Sequence, residues 1–337
     1  MTAQQVEAIE KAMESLRNRD FANRTLARKI IADNPSIFTL DQIENVRRAI
    51  RHRRGSAGKE NLKYARPEYQ RDIQAPSEYI SKYMKPTQIN KQRHFALPKH
   101  LRKVLILSDL HIPYHEFDAI QVALDYGINA GVDAIYLNGD VIDFAKISRW
   151  QKDPHAPNVQ VEVDMVKEFL YGLTGFGLPI YYKMGNHEER WNAYLLQNAP
   201  ELYDLDALQI DSVLGLDELD IVLIDSRVKV SFGKLLVIHG HEFGESFFNP
   251  VNPARGLFLK AKTSIVAGHN HQTSSHHEND LNGNPTATFS LGCLCGLSPD
   301  YRPFAGTKWN HGFAIVDIEE DGYFTVHNKR IIEGKVR

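Results

Sequence analysis

Asp, Asn and His residues gather in five short motifs of this 337-residue chain. They are Ser108-Asp109-Leu110-His111, Gly139-Asp140-Val141-Ile142-Asp143, Gly185-Asn186-His187-Glu188-Glu189-Arg190, His239-Gly240-His241-Glu242 and Gly268-His269-Asn270-His271. Carboxylate, amide and imidazole groups are the donors that bind first-row divalent cations without a thiolate. Each motif alone has a plain structural reading. Asp143 could cap a helix, Asp109 could end a turn, His239 could be a core histidine, and Asn186 with Glu189 is a helix-capping pattern. All five, however, follow apolar runs, at 104–107, 134–137, 180–184, 235–238 and 264–267. Ligands bind at strand exits in α/β sheets, so the five together point to one shared metal site.

The elements that must position these motifs follow from the pattern. Uninterrupted apolar runs read as strands buried on both faces. Helical stretches are expected at 117–130, at 161–171 and from 189 onward. Further strands are expected at 221–224, 228–232, 286–291, 313–318 and 323–327. Alternating strands and helices followed by mostly strands predict an α/β fold of two packed sheets with outer helices.

Residues 1–54 read as a small all-α domain. Thr2 with Gln5 and Thr39 with Gln42 form capping-box patterns. Apolar stripes follow: Val6, Ile9, Ala12, Met13 and Leu16 in the first helix, then Leu40, Ile43, Val46 and Ile50 in the third. A second helix is expected at 21–31. The face opposite the third stripe carries Arg47, Arg48 and Arg51, and Arg54 follows. Three short helices ending in a basic one resemble a helix-turn-helix unit, with these four arginines as nucleic-acid contacts. The other reading is a solvated basic helix that packs on the main domain or mediates oligomerisation. Residues 55–100 read as a linker: a Gly55-Ser56-Ala57-Gly58 hinge, then prolines and tyrosines interleaved with basic residues. That segment could stack single-stranded bases, or form an extended arm on a catalytic domain spanning 101–337.

Composition sets outer bounds. A formal charge of -2 gives no global drive toward nucleic acid or membrane, so any basic patch must be local. No apolar run approaches the ~18 residues of a membrane span, and residues 1–7 lack a signal-peptide pattern. Two cysteines, Cys293 and Cys295, read as small residues at a strand end and fit a reducing cytoplasm.

The ordered motif set D-x-H, G-D-x-x-D, G-N-H-E, H and G-H-x-H resembles that of the calcineurin-like metallophosphoesterase superfamily, over about residues 103–330. The resemblance implies two packed mixed β-sheets flanked by helices, holding two divalent metal ions. Residue by residue, it implies Asp109, His111 and His271 as ligands of one ion and Asn186, His239 and His269 as ligands of the other, with Asp140 bridging. His187 would act as general acid, oriented by Asp143. Manganese is the expected metal, with iron, zinc and magnesium as alternatives. A similar overall pattern, with Trp309-Asn310-His311-Gly312-Phe313 late in the chain, occurs in phosphoesterases of phage and prophage genomes.

The chain departs from the superfamily in two places. Phe144 and Ala145 stand after Asp143 where the protein Ser/Thr phosphatase branch has an Arg-Gly pair, which counts against a phosphoprotein substrate. Ser108 replaces a common Gly. Arg190, His241 and Arg255 are expected substrate contacts. The reading is a hydrolase of phosphodiesters, DNA or RNA, acting through a metal-bridging hydroxide. Its rival is a small-molecule phosphoesterase for cyclic nucleotides, nucleotides or phosphomonoesters, with the N-terminal helices serving oligomerisation.

Overall fold

The computed structural model describes residues 1–14, 21–54, 93–149, 155–244, 251–279, 281–298 and 306–337. Two compact units divide the chain, Met1–Asn90 and Lys91–Arg337. The hinge and most of the segment read as a linker, 55–92, lie outside the described residues.

In the first unit, α1 (Ala3–Glu14), α2 (Asn23–Asp33) and α3 (Ile43–Arg53) pack around Ile9, Leu26, Ile30, Val46 and Ile50. Both capping boxes form. Thr2 N donates to Gln5 Oε1 at 3.0 Å while Gln5 N donates to Thr2 Oγ1 at 3.3 Å. Thr39 and Gln42 make the same exchange over a short 3-10 turn at Leu40–Gln42. That extra turn removes Leu40 from the predicted stripe and leaves it 78% exposed.

In chain order the second unit has β1 (His94–Ala96), β2 (Lys103–Leu107), α4 (Phe117–Asn129), β3 (Ala134–Asn138), α5 (Val159–Thr174), β4 (Ile180–Lys183) and α6 (Glu188–Asn198). Then follow α7 (Ile210–Leu214), β5 (Ile221–Ile224), β6 (Lys229–Phe232), β7 (Leu235–Ile238), α8 (Pro253–Ala261) and β8 (Ile265–Ala267). The chain closes with β9 (Ser274–Asn279), β10 (Pro285–Ser290), β11 (Gly312–Ile318), β12 (Phe324–Ile332) and β13 (Lys335–Val336). One sheet has the order β13-β12-β11-β2-β3-β4-β5 and the other β1-β6-β7-β8-β10-β9. β2, β3, β4 and β5 run parallel, and β11 joins β2 antiparallel. β7 and β8 are parallel in the second sheet.

The two sheets are mixed, and they pack face to face with helices outside. Side chains alternate along a strand, so Val104 and Ile106 of β2 enter the layer between the sheets, with Tyr136, Phe232, Val237 and Val266. Leu105 and Leu107 point the other way, into a layer with Ile120, Ala123, Val166 and Leu170 of α4 and α5. Burial on both faces is why these strands read as unbroken apolar runs.

Several pieces differ from the sequence reading, among them α7, β13 and the following. His94–Ala96 pairs with β6, and Ser274–Asn279 pairs with β10 as an edge strand too polar to show a strand pattern. Residues 253–261, given no element in the sequence reading, form α8, because Asn252 Oδ1 accepts the Arg255 N–H at 3.1 Å and Pro253 takes the first helical position. Among the described residues, no helix is long and apolar enough to cross a membrane.

Leu105 lies fully buried between β2 and α4. Replacing Leu105 by Ala is expected to lower unfolding free energy by about 2–5 kcal/mol, measured by urea denaturation.

Candidate metal centre

The C-terminal ends of β2, β3 and β4 from one sheet meet those of β7 and β8 from the other. The loops leaving these ends are backbone-strained. Nine non-glycine residues with positive φ occur among the described residues, and five are motif residues: Asp109, His111, Asp140, His269 and His271, with φ between 51° and 62°. Left-handed backbone is costly for residues with a Cβ, and it persists only where surroundings enforce it.

Three buried groups brace the loops around Asp140, Gly185 and His239. The Glu188 carboxylate accepts the N–H groups of Gly185 (2.7 Å), Asp140 (3.0 Å) and Val141 (2.8 Å) and the Tyr182 hydroxyl (2.9 Å). Asn138 joins the two sheets. Its amide donates to Ile238 O at 2.9 Å, and its carbonyl lies 2.7 Å from His239 Nδ1. Lys183, fully buried at the end of β4, donates to the Asp225 and Ser226 carbonyls and pairs with Glu242 at 3.5 Å. Glu242 in turn accepts the N–H groups of His239 and Gly240. None of these roles was visible in the motifs. The capping expectation for Glu189 is also overturned. Its side chain bonds Ser226 Oγ and faces His241 at 3.6 Å, while its neighbour Glu188 closes the turn.

The motif residues converge on two groups. His111 Nε2 lies 3.2 Å from His271 Nε2, which lies 3.2 Å from Asp109 Oδ1. His239 Nε2 lies 3.2 Å from both Asp140 Oδ2 and Asn186 Oδ1. Asp140, His239 and His269 offer ligand atoms within 4.8 Å of one another, and so do His111, Asp140 and His187. His111, His271 and Cys295 form a third such group, which the sequence did not suggest. Cys295 reaches it because its segment pairs with His115, which puts Sγ 3.8 Å from His271 Nδ1.

The fit to cations can be tested on proton placement. The Nδ1 of His239 meets a carbonyl, so the hydrogen belongs there and the Nε2 lone pair faces the Asp140 carboxylate. His111 repeats this, with Nδ1 2.9 Å from Asp143 Oδ1 and Nε2 turned toward His271. Electron pairs therefore face one another at about hydrogen-bond distance, which only protons or cations between them can satisfy. With protons alone, burial disfavours the imidazolium of His239, but Asp140 and Asp109 push it up to about 10. His271 likewise rises to about 10 against its burial, through Asp109. Burial raises and the imidazoles lower Asp109 and Asp140, and both end below the ordinary carboxylate range. Burial and His239 instead bring His269 down to about 4. These residues fit a pair of divalent cations.

Asp143 Oδ1 sits between two rings, 2.9 Å from Nδ1 of both His111 and His187. Arg190 donates to the Asp143 carbonyl at 2.7 Å and to His187 Nε2 at 2.8 Å. An arginine only donates, so His187 carries its hydrogen on Nδ1 here. His241 lies on the other side of the centre, its ring 5.3 Å from that of His239 and 6.4 Å from that of His269. Arg255 is exposed on α8. In the first unit Arg48 and Arg51 are exposed, Arg47 pairs with Glu44, and Arg54 donates to Phe21 O and Asn23 Oδ1.

The sequence pattern of the calcineurin-like phosphoesterases matches residues 102–292, more than half of the chain. The chain belongs to that family. It is a metal-dependent phosphoesterase, and divalent metals are the family's cofactors. A phage protein is similar as well: "Gene 54 protein" of Mycobacterium phage L5 is 25% identical over 229 residues, covering 65% of this chain and 89% of its own. Its counterpart in Mycobacterium phage D29 is 24% identical over the same length. Among solved structures, Vacuolar Protein Sorting 29 from Cryptosporidium parvum matches 70% of this chain and 95% of its own at 15% identity and a TM-score of 0.36. Yfce, a phosphoesterase from E. coli, matches 66% and 97% at 16% identity and a TM-score of 0.32.

Cations held by His239 and His271 would have to displace the protons that lie between their lone pairs and the carboxylates. Manganese binding is expected to release protons, seen calorimetrically as a buffer-dependent heat, and to weaken as pH falls from 8 to 6. A heat independent of buffer would contradict this.

Proposed function

We propose that this phosphoesterase hydrolyses phosphodiesters in nucleic acid, DNA or RNA, with two divalent cations, manganese foremost. Asp109, His111 and His271 would hold one ion and Asn186, His239 and His269 the other, with Asp140 between them. Oxygen and nitrogen donors of this kind suit manganese, iron or zinc. When bound, two such ions supply Lewis-acid stabilisation of the attacking and leaving oxygens and activate water.

The chain's own residues orient and move the proton. His187 is the proposed acid for the leaving oxygen, held through Nδ1 by the carboxylate and carbonyl of Asp143. Its Nε2 is engaged by Arg190. A substrate phosphate would attract that guanidinium, whose fork matches phosphate oxygens. Nε2 is then free to take up a proton from solvent, giving the imidazolium that burial disfavours but Asp140 and Asp143 favour, and to pass it to the leaving oxygen. His241, beside His239 and His269, is a further proposed substrate contact.

The observation that carries the nucleic-acid reading is the first unit. Its helices α2 and α3 expose Arg24, Arg28, Lys29, Arg48 and Arg51 on a chain with almost no net charge. A local basic surface on a small helical unit supplies sequence-independent attraction to a phosphate backbone. The free, buried thiols of Cys293 and Cys295 suit a reducing compartment, and we place the protein in the cytoplasm.

The test is a substrate panel with the manganese-loaded full chain: single-stranded and duplex DNA, RNA, cyclic nucleotides, p-nitrophenyl phosphate and bis-p-nitrophenyl phosphate. Nucleic acid is expected to give the highest kcat/KM, and His187→Ala to lower kcat by about 10²–10⁴-fold. Joint replacement of Arg48 and Arg51 by Ala should leave bis-p-nitrophenyl phosphate turnover unchanged. It should also reduce the salt slope of nucleic-acid KM by about 2. A small phosphomonoester as best substrate, with nucleic acid untouched, would contradict the proposal.

A further inference from the structure

Behind the Asp143 turn lies a carboxylate that none of the motifs contains. Glu162, in the first turn of α5, is fully buried, and its Oε2 accepts the Phe144 N–H at 2.5 Å. Phe144 has φ 52°, in the left-handed region. Its buried ring stacks on Trp191 with centroids 5.8 Å apart.

The Phe144 N–H and the Asp143 carbonyl are two ends of one peptide group. A trans peptide is planar, with its N–H and C=O pointing in opposite directions. Whatever grips the N–H therefore aims the carbonyl. That carbonyl is the oxygen 3.0 Å from His187 Nδ1 and 2.7 Å from Arg190 Nη1. The same residue's carboxylate stands between His111 and His187.

We infer that Glu162 is a positioning residue for the proton-handling group: by pinning the Phe144 N–H it directs the Asp143 carbonyl at His187 and Arg190 and holds the Asp143 carboxylate between its two imidazoles. This rests on the roles proposed above for Asp143 and His187. Among the described residues, the Glu162 carboxylate makes no hydrogen bond to an imidazole. It acts from the helix side, through the backbone, and so adds rigidity where the loop itself is strained. Burial, with the Asp143 carboxylate nearby, pushes its carboxyl up to about 7, which makes glutamine a close replacement.

The experiment compares Glu162→Gln, Glu162→Ala and Glu162→Asp. One readout is the downfield imidazole N–H resonances of the metal-free protein, the His187 signal being assigned by its loss in His187→Ala. The other is kcat and KM for bis-p-nitrophenyl phosphate with manganese bound. Gln keeps an acceptor at the same reach, so it should keep the His187 resonance and a kcat within about threefold of wild type. Ala should shift or broaden that resonance and lower kcat by about 10–100-fold with KM unchanged. Should the Ala variant not fold, Asp takes its place, since it withdraws the acceptor by one methylene. An unchanged resonance and kcat in Ala or Asp would overturn the inference, as would a Gln variant as impaired as Ala. If wild type hydrolyses none of the substrates, the proposed function fails while the resonances still test Glu162.

Discussion

Three backbone N–H groups, from Gly185, Asp140 and Val141, and the Tyr182 hydroxyl all donate to the one carboxylate of Glu188. A buried carboxylate without donors is strongly unfavourable, and with several it is a rigid hub. This hub fastens the loop after β3 to the loop after β4. Asp140 is thereby set beside His187, whose N–H donates to Asp140 Oδ1 at 2.9 Å. The contact leaves no room for side chains at the crossing. A Cβ on Gly185 would lie 2.6 Å from Asp140 N, and one on Gly139 would lie 2.8 Å from the Cα of Gly185. The glycines of the two motifs are thus a consequence of loops pressed together by a shared carboxylate.

From that crossing the electrostatics follow. Asp109 and Asp140 are buried, and imidazoles surround them. Each imidazole whose outer nitrogen meets a fixed acceptor turns its other lone pair inward: His239 through Asn138, His111 through Asp143. The protein therefore builds a concentration of electron pairs at the cost of left-handed backbone at five positions. Cations would relieve that crowding, and the loops around Asp140, Gly185 and His239 are held by Glu188, Asn138 and the Lys183–Glu242 pair.

Much of this was legible in the sequence because two different constraints coincide at each motif. Burial on both sheet faces writes runs such as 104–107 and 134–137, and the candidate ligands stand directly after them. The structure brings Asp109, His111, Asp140, Asn186, His239, His269 and His271 together at those exits. What escaped was residues whose type suggests an ordinary place. Glu188 looks like a helix-start acid, Lys183 like a solvated strand end, and Glu162 like one acid among several on an amphipathic helix. Their roles come from tertiary contacts 18 to 48 residues away, which no local spacing encodes. Cys295 joins His271 by chain return, and β9 is an edge strand whose polar exposed face carries no alternation.

The central claim is that these seven side chains form one centre for two cations, with Asp140 shared. Metal content after equilibrium dialysis against manganese tests it most directly. Two manganese ions per chain are expected for wild type, and Asp140→Ala should lose both or fall to one weakly held ion. A single ion in wild type, or two ions retained after Asp140→Ala, would contradict the account.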